Sequence, residues 1–445
     1  MRRTHRPPPS LRVAAGTLLA LAAAAAPPSR AEDADPFGPP RRPAARDAAG
    51  AAGADDARAP DVAAYRAWLA RPDWLCRALA ARELRFRSDD GVVAALTPAL
   101  ARERDPRVVA LLLAALDGRP RDELLAEGGV PLAERLVALL DAPQASVRTR
   151  ALSTLSALPP VRLPRETDAL RAWWAKGRLG LEVEARLVAE RAARTRAQAR
   201  PPAGLAPGET VTVAPLAVRR YAELDRIARE GLEVVVCLDE TASMLEVIDA
   251  AKAGVRDLLA RLRDLAPQLR VGLVTYRDEA RLRVRLTPDV GAFERALARV
   301  VADGGEDEEE GVDRAVRLAL EPGAMGWSRK AVRAVVVLGD APPHEGDVAP
   351  LLRAIRAARE DPLFESAARV DTISAGPGGP DGLVHHFAAI AEAGGGAATR
   401  LQGARSLVAE LLVVPFGPAW REPLHALLAD LDALRAQDEA PRARR

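Results

Sequence analysis

The chain has 445 residues, with 64 Lys and Arg against 62 Asp and Glu, enough for two to four domains. That near balance argues against a strongly cationic nucleic-acid binder and a strongly acidic disordered chain. Phe, Trp and Tyr make up only 3% of residues, so aliphatic side chains must fill any core, and function by aromatic stacking on sugars or single-stranded bases is disfavoured.

In chain order, residues 1–31 read as an export signal. Arg2, Arg3 and Arg6 form a basic start, residues 18–26 are apolar without a charge, and Ser29-Arg30-Ala31 places small residues where a signal peptidase cuts. The apolar run is too short to span a bilayer as a stable helix, and no other segment reaches the necessary length. Cleavage would remove Arg2, Arg3, Arg6, Arg12 and Arg30 and no acid. The mature chain is then slightly acidic, has no transmembrane segment, and is expected in a periplasm or outside the cell. Residues 32–60 are rich in Ala, Pro, Asp, Gly and Arg with almost no large apolar side chain. They read as a disordered linker, because such a stretch cannot offset its ordering entropy.

Residues 61–199 carry the three- and four-residue apolar spacing of amphipathic helices in VVAALTPALARE, VVALLLAAL, LAERLVALL and ALSTLSAL. A weak self-similarity runs through them. Cys76-Arg77 with Ala80, Ala81 and Leu84 superposes on Val147-Arg148 with Ala151, Leu152 and Leu155, and Val108 with Leu112, Leu113 and Leu116 follows an Asp105-Pro106 turn. The pattern resembles HEAT-type helical repeats, with an irregular helical bundle as the alternative. Trp173 and Trp174 are expected in core packing at the end of the stack, and the helix after them is charged all round and reads as a solvated spacer.

RPPAGLAPGE at 200–209 is a second linker. Residues 210–415 then alternate Val/Leu-rich runs at 233–239, 270–276, 281–286, 331–340 and 368–374 with helical patterns at 245–263, 291–301, 311–320, 348–359, 384–393 and 403–413. Continuous apolar runs imply strands buried on both faces, hence an α/β, doubly wound, mostly parallel sheet. The runs at 270–276 and 281–286 are joined too tightly for a crossover helix, which predicts one antiparallel edge strand. Residues 416–445 form a last amphipathic helix and a basic tail. Cys76 and Cys237 fall in different regions on apolar stretches, and read as buried small hydrophobes rather than disulfide partners.

Ligands in open α/β sheets bind beyond the carboxyl ends of the strands. After the first run comes Asp239-Glu240-Thr241-Ala242-Ser243, after the fourth comes Asp340, and between them lies an acidic glycine loop at 303–310. Hydroxyls and carboxylates converging at one sheet edge suit a hard divalent cation, Mg²⁺ with Mn²⁺ as substitute. The alternative is an ordinary hydroxyl-and-Asp helix start, since these residues also cap helices.

This segment, roughly 228–415, resembles a von Willebrand factor type A domain, whose metal-ion-dependent adhesion site has a D-x-S-x-S string after the first strand, a Thr on a later glycine loop and an Asp after the fourth strand. Asp239, Thr241 and Ser243 match the first element, and Asp340 the last. The middle element departs from the pattern: GGEDEEEGV has no Thr and is similar to a GGxD-type loop of bacterial relatives, with Asp307 in the ligand's place. The resemblance implies a Rossmann-like sheet, a Mg²⁺ or Mn²⁺ held by Asp239, Thr241, Ser243, Asp307 and Asp340, and binding to a protein partner. A third carboxylate would hold the cation more firmly and leave it less electrophilic. The surplus acids Glu306, Glu308, Glu309 and Glu310 are expected as a solvated rim.

Adjacent helical positions diverge by about 100°, so His385 and His386, placed on a helix, are expected as one buried and one exposed side chain rather than joint ligands. The chain contains no HExxH, GxxxxGK[ST] or GxSxG string and no Ser-His-Asp ordering. These observations together point to an exported, non-enzymatic binding protein that meets protein partners through the metal edge and the helical surface, without nucleic acid. The rival classes are a hydrolase using the same cation, with Glu240 or His344 as base, and a scaffold whose metal site is vestigial.

Overall fold

The computed structural model describes residues 61–159, 163–164, 167–198, 215–305, 309–376, 382–403 and 406–440. The export signal at 1–31, the linkers at 32–60 and 200–209, Glu306, Asp307 and Glu308, residues 377–381 and the basic tail after 440 lie outside these residues.

From 61 to 198 the regular elements are helical: α1 (Val62–Trp68), α2 (Trp74–Arg85), α3 (Val92–Arg102), α4 (Pro106–Leu116), α5 (Arg121–Glu123), α6 (Gly129–Leu139), α7 (Ala145–Ala157) and α8 (Thr167–Gln198), with one wide π turn at Leu124–Gly128. Aspartates start several of them. The carboxylates of Asp61, Asp73 and Asp105 accept from the backbone N–H of Ala64, Cys76 and Arg107, satisfying donors that a helix start leaves orphaned. Pro106 follows Asp105 at a position where its fixed φ suits the helix. α4 is apolar all round and its residues 108–116 are buried, as such a helix must be. Arg77 donates to the carbonyls of Arg71 and Pro72, and Arg148 to those of Ala142 and Pro143. The two segments that superpose in sequence therefore make the same local contacts. Trp173 and Trp174 are half-buried on α8 instead of lying in the core, and α8 continues unbroken through the charged stretch, burying Leu181 and Ala185 on one side.

After α9 (Pro215–Glu230) come β1 (Leu232–Asp239), α10 (Leu245–Leu265), β2 (Leu269–Tyr276), β3 (Ala280–Thr287), α11 (Val290–Ala298), α12 (Val312–Leu320), α13 (Pro322–Met325), β4 (Val332–Gly339), α14 (Glu345–Arg359), β5 (Ala368–Ser374), α15 (Phe387–Gly394), β6 (Gly395–Arg400), α16 (Leu407–Val413) and α17 (Arg421–Glu439). The six strands form one sheet in the order β3-β2-β1-β4-β5-β6. Every pair is parallel except β2 with β3 at the edge. Val235, Cys237, Val335, Val337 and Val370 face Val312, Leu351, Ile355, Phe387 and Ile390 of α12, α14 and α15. Val234, Val236 and Leu238 face the opposite layer of α10, α11 and α16. The period-2 alternation of a strand buried on both sides produces this two-layer covering. Both cysteines are free and buried, and desolvation pushes their thiols far up.

Two elements escape the sequence pattern. β6 is built from GGAATR, without a β-branched or aromatic run, and α9 precedes the first strand in a segment assigned no helix. α15 also starts at Phe387, so His385 and His386 lie ahead of the helix, not on it. Among the described residues no helix is long and apolar enough to cross a membrane.

Candidate metal centre

β1 pairs with β2 on one side and β4 on the other, so the connections leaving β1 and β4 diverge and open a crevice at the carboxyl edge, the usual ligand position in such sheets. Asp239 is the last residue of β1, and Asp340 follows β4 directly. Asp239 is fully buried. Its Oδ1 accepts from the Thr241 backbone N–H at 2.9 Å and from Thr241 Oγ1 at 2.7 Å, a local turn that a short polar side chain closes on its own backbone. Ser243 Oγ lies 3.1 Å from Thr241 Oγ1, on the exposed start of the short turn at Ala242–Met244 that opens α10.

The other oxygens carry the chemistry. Asp239 Oδ2 and Asp340 Oδ1 are buried and accept no hydrogen bond from any described residue. Burial pushes the Asp239 carboxyl up to about 6, and the neighbouring charge of Asp340 adds to this against the pull of the Thr241 hydrogen bonds. Paired carboxylates left dry and unpartnered are costly unless a cation neutralises them. An all-oxygen set of two carboxylates and two hydroxyls suits Mg²⁺ or Mn²⁺, so the residues present fit such an ion. Gly339 makes the approach possible: a Cβ there would lie 2.3 Å from Tyr276 Oη and 3.1 Å from Asp239 Oδ2.

The glycine loop joins the same edge. Asp303 N–H donates to Glu240 O at 3.0 Å and Ala242 N–H to Gly304 O at 3.1 Å. A Cβ on Gly305 would sit 2.8 Å from Thr241 Cβ. Where the described chain resumes, Glu310 N–H donates to Pro342 O at 2.8 Å, two residues past Asp340. The structure therefore brings Asp239, Thr241 and Asp340 together, sets Ser243 at the rim, and holds both flanks of the Asp307 segment against them, Asp307 itself lying outside the described residues.

Several neighbours differ from expectation or went unread. Glu310 is buried rather than part of a solvated rim. Glu240 is buried and accepts from Arg283 at 2.7 Å and Arg281 at 3.4 Å, with Arg277 at 3.8 Å. Arg277 also donates to Asp303 O. These three arginines of β2–β3 brace the loops on either side of the crevice, and the alternation in RLRVRL, which puts Arg281 and Arg283 on one strand face, was the available signal. His344 Nδ1 lies 3.1 Å from Glu309 Oε2. His385 and His386 are not split between core and solvent. Neither is buried, and their ring centroids lie 3.7 Å apart. The helical-face argument fails because His386 adopts a left-handed φ of 67° before α15.

Residues 234–342 match the family model described as the von Willebrand factor type A domain, and the mixed six-stranded sheet agrees with that fold. Among solved structures, the chain is similar to an aerotolerance-related membrane protein from Bacteroides fragilis (18% identity, TM-score 0.30, covering 42% of this chain and 98% of that one). It is also similar to a von Willebrand factor type A protein from Catenulispora acidiphila (17%, 0.33, 42% of each chain) and to the conserved hypothetical protein BatB from Bacteroides thetaiotaomicron (19%, 0.32, 45% of this chain and 100% of that one). Comparison with the curated proteins gave no match.

Proposed function

We propose that this chain is an exported, non-enzymatic protein-binding protein whose α/β region presents a Mg²⁺ or Mn²⁺ to a protein partner, while its helical region, read as a HEAT-type repeat platform, offers a second surface. The cation is held by Asp239, Thr241, Ser243, Asp307 and Asp340, and supplies a coordination position for an oxygen of the partner. The observation that carries the reading is the pair of buried, unpartnered carboxylate oxygens on Asp239 and Asp340. Export rests on the basic and apolar pattern of residues 1–31. Three carboxylates in one shell leave the ion weakly electrophilic, so a neutral acceptor suits it better than another carboxylate. The hydrolytic reading gains no support here, because both bases nominated for it are engaged, Glu240 by arginines and His344 by Glu309.

The test is partner capture from an extract of the source organism by the full chain, in Mg²⁺ and in chelator, repeated with Asp239→Ala. Partners retained only by the wild type in Mg²⁺ are expected. The same partners in all arms would leave a scaffold with a vestigial site and overturn the metal-dependent reading.

A further inference from the structure

We propose a second cation site, distinct from the oxygen-lined centre and of opposite chemical preference, formed by Glu345, His385 and His386. Ligand atoms of these three residues lie within 4.8 Å of one another. They come from separate segments: Glu345 opens α14, beyond Asp340, and the two histidines end the connection from β5 to α15. His386 Nε2 lies 2.7 Å from Glu345 Oε2.

A lone ion pair explains that contact but not His385, whose ring stands 3.7 Å from that of His386, tilted by 51°. Side chains of successive residues ordinarily diverge. Here they converge because His386 takes a left-handed backbone, the one non-glycine residue with positive φ among those described, a conformation L-residues seldom adopt. The result is two imidazoles and one carboxylate turned toward a common point. His385 and Glu345 are exposed and the His386 side chain is 17% exposed, so water and ions reach the cluster from the side of the first two. Tetrahedral Zn²⁺ with ligand bonds of about 2.1 Å needs ligand atoms about 3.4 Å apart, so the His386–Glu345 pair must open from 2.7 Å while wider separations, none above 4.8 Å, close. The ion replaces the hydrogen atom between His386 Nε2 and Glu345; a neutral ring carries its one proton on Nδ1 instead, and a charged ring releases its second proton to solvent, so that His386 ligates as a neutral imidazole in either case.

Two neutral imidazoles and one carboxylate suit Zn²⁺, or another nitrogen-preferring divalent metal, and leave a fourth position open. Mg²⁺ avoids nitrogen and stays with the carboxylates and hydroxyls of the first centre. Bound zinc would fasten the start of α15 to the start of α14 on the same edge of the sheet as Asp340.

The test is calorimetric titration of the full chain, carrying no affinity tag, with Zn²⁺ in excess Mg²⁺, alongside Co²⁺ substitution followed by its visible absorption. One equivalent of Zn²⁺ is expected. His385→Ala, His386→Gly and Glu345→Gln should each weaken binding at least about tenfold, since the loss of even an outer-shell partner costs about ten- to a hundredfold. Glycine is chosen at 386 because it accepts the positive φ and keeps the backbone. Asp239→Ala should bind Zn²⁺ as the wild type does. The proposal is overturned if no stoichiometric binding is seen, if any of the three variants keeps wild-type affinity, or if Asp239→Ala abolishes binding and so places the ion in the oxygen-lined centre.

Discussion

Asp239 sits fully buried at the carboxyl end of β1, with one oxygen satisfied by Thr241 and the other buried without a hydrogen-bond partner. Its carboxyl is raised from 3.8 to about 6 by burial, so between about pH 4 and 6 the folded chain holds a proton that the unfolded chain has released. Without metal, stability from this residue is therefore present at pH 4 and lost as pH rises through 6, a penalty on the order of 3 kcal/mol at neutral pH. In chelator, Asp239→Asn should be more stable than the wild type at pH 7 and equal to it near pH 4; in Mg²⁺ the wild type should recover and the variant should not. Urea unfolding across that range measures both, and parallel curves would mean that the charge of Asp239 is not the stressed group. Asp307 makes a companion prediction: Asp307→Thr should weaken Mg²⁺ binding and strengthen retention of an acidic peptide. Calorimetry that found both unchanged would remove Asp307 from the shell. Asp239, Thr241, Ser243 and Asp340 were legible because each follows a strand whose apolar run gives its place in the sheet. The arginines around Glu240 were legible only in part: the alternation in RLRVRL puts Arg281 and Arg283 on one strand face, but no local pattern tells that they meet Glu240 on the loop after β1.

Elements were readable where they bury a periodic face and unreadable where backbone contact replaces side-chain burial. β6 shows the second case. A Cβ on Gly396 would lie 2.3 Å from Val370 O and 2.6 Å from Asp371 Oδ1, and one on Gly394 would lie 2.5 Å from Val370 Cβ. The strand packs against β5 because it lacks side chains there, which removes the β-branched signal that marks a strand. Gly396→Ala should therefore cost about 1–3 kcal/mol through overpacking. A drop of a few degrees in Tm is expected, with the oxygen-lined centre's Mg²⁺ affinity little changed because β4 and β5 lie between β6 and β1. An unchanged Tm would mean that β6 pairs more loosely than its contacts imply. The histidine pair was misread for a related reason. The apolar spacing predicts a helix that includes it, whereas the left-handed turn at His386 falls before the first helical residue, and only a backbone that L-residues seldom adopt lets neighbouring rings meet.

The helical and α/β regions meet through aromatic rings and the last helix. Trp68 of α1 stacks on Tyr221 of α9 with centroids 3.5 Å apart, and Trp420, in the turn before α17, meets the same Tyr221 edge-on at 5.0 Å. From α17, Asp430 pairs with Arg82 at 2.9 Å, and Asp438 accepts from the Ser146 N–H at 2.7 Å. Arg71 pairs with Asp225 at 2.7 Å, and Trp74 Nε1 donates to Asp264 O at 3.0 Å. Partly exposed ion pairs of this kind contribute little each, whereas a buried tryptophan contributes apolar area and ring contacts that no ion pair replaces. Trp420 is 2% exposed and meets the same Tyr221 ring on which Trp68 of the helical region stacks, so it should dominate the coupling of the two regions by holding that ring in place. Trp420→Ala is expected to cost about 3–5 kcal/mol, and it should remove that cost from the junction rather than from either core. The wild type should melt in one calorimetric transition. In the variant the helical transition should separate from that of the α/β region, and only the latter should move with added Mg²⁺. A single lowered transition that still shifts as a whole with Mg²⁺ would show that the ion pairs and the rest of α17 couple the regions without the tryptophan. Their mutual orientation would then rest on charge and fall with ionic strength.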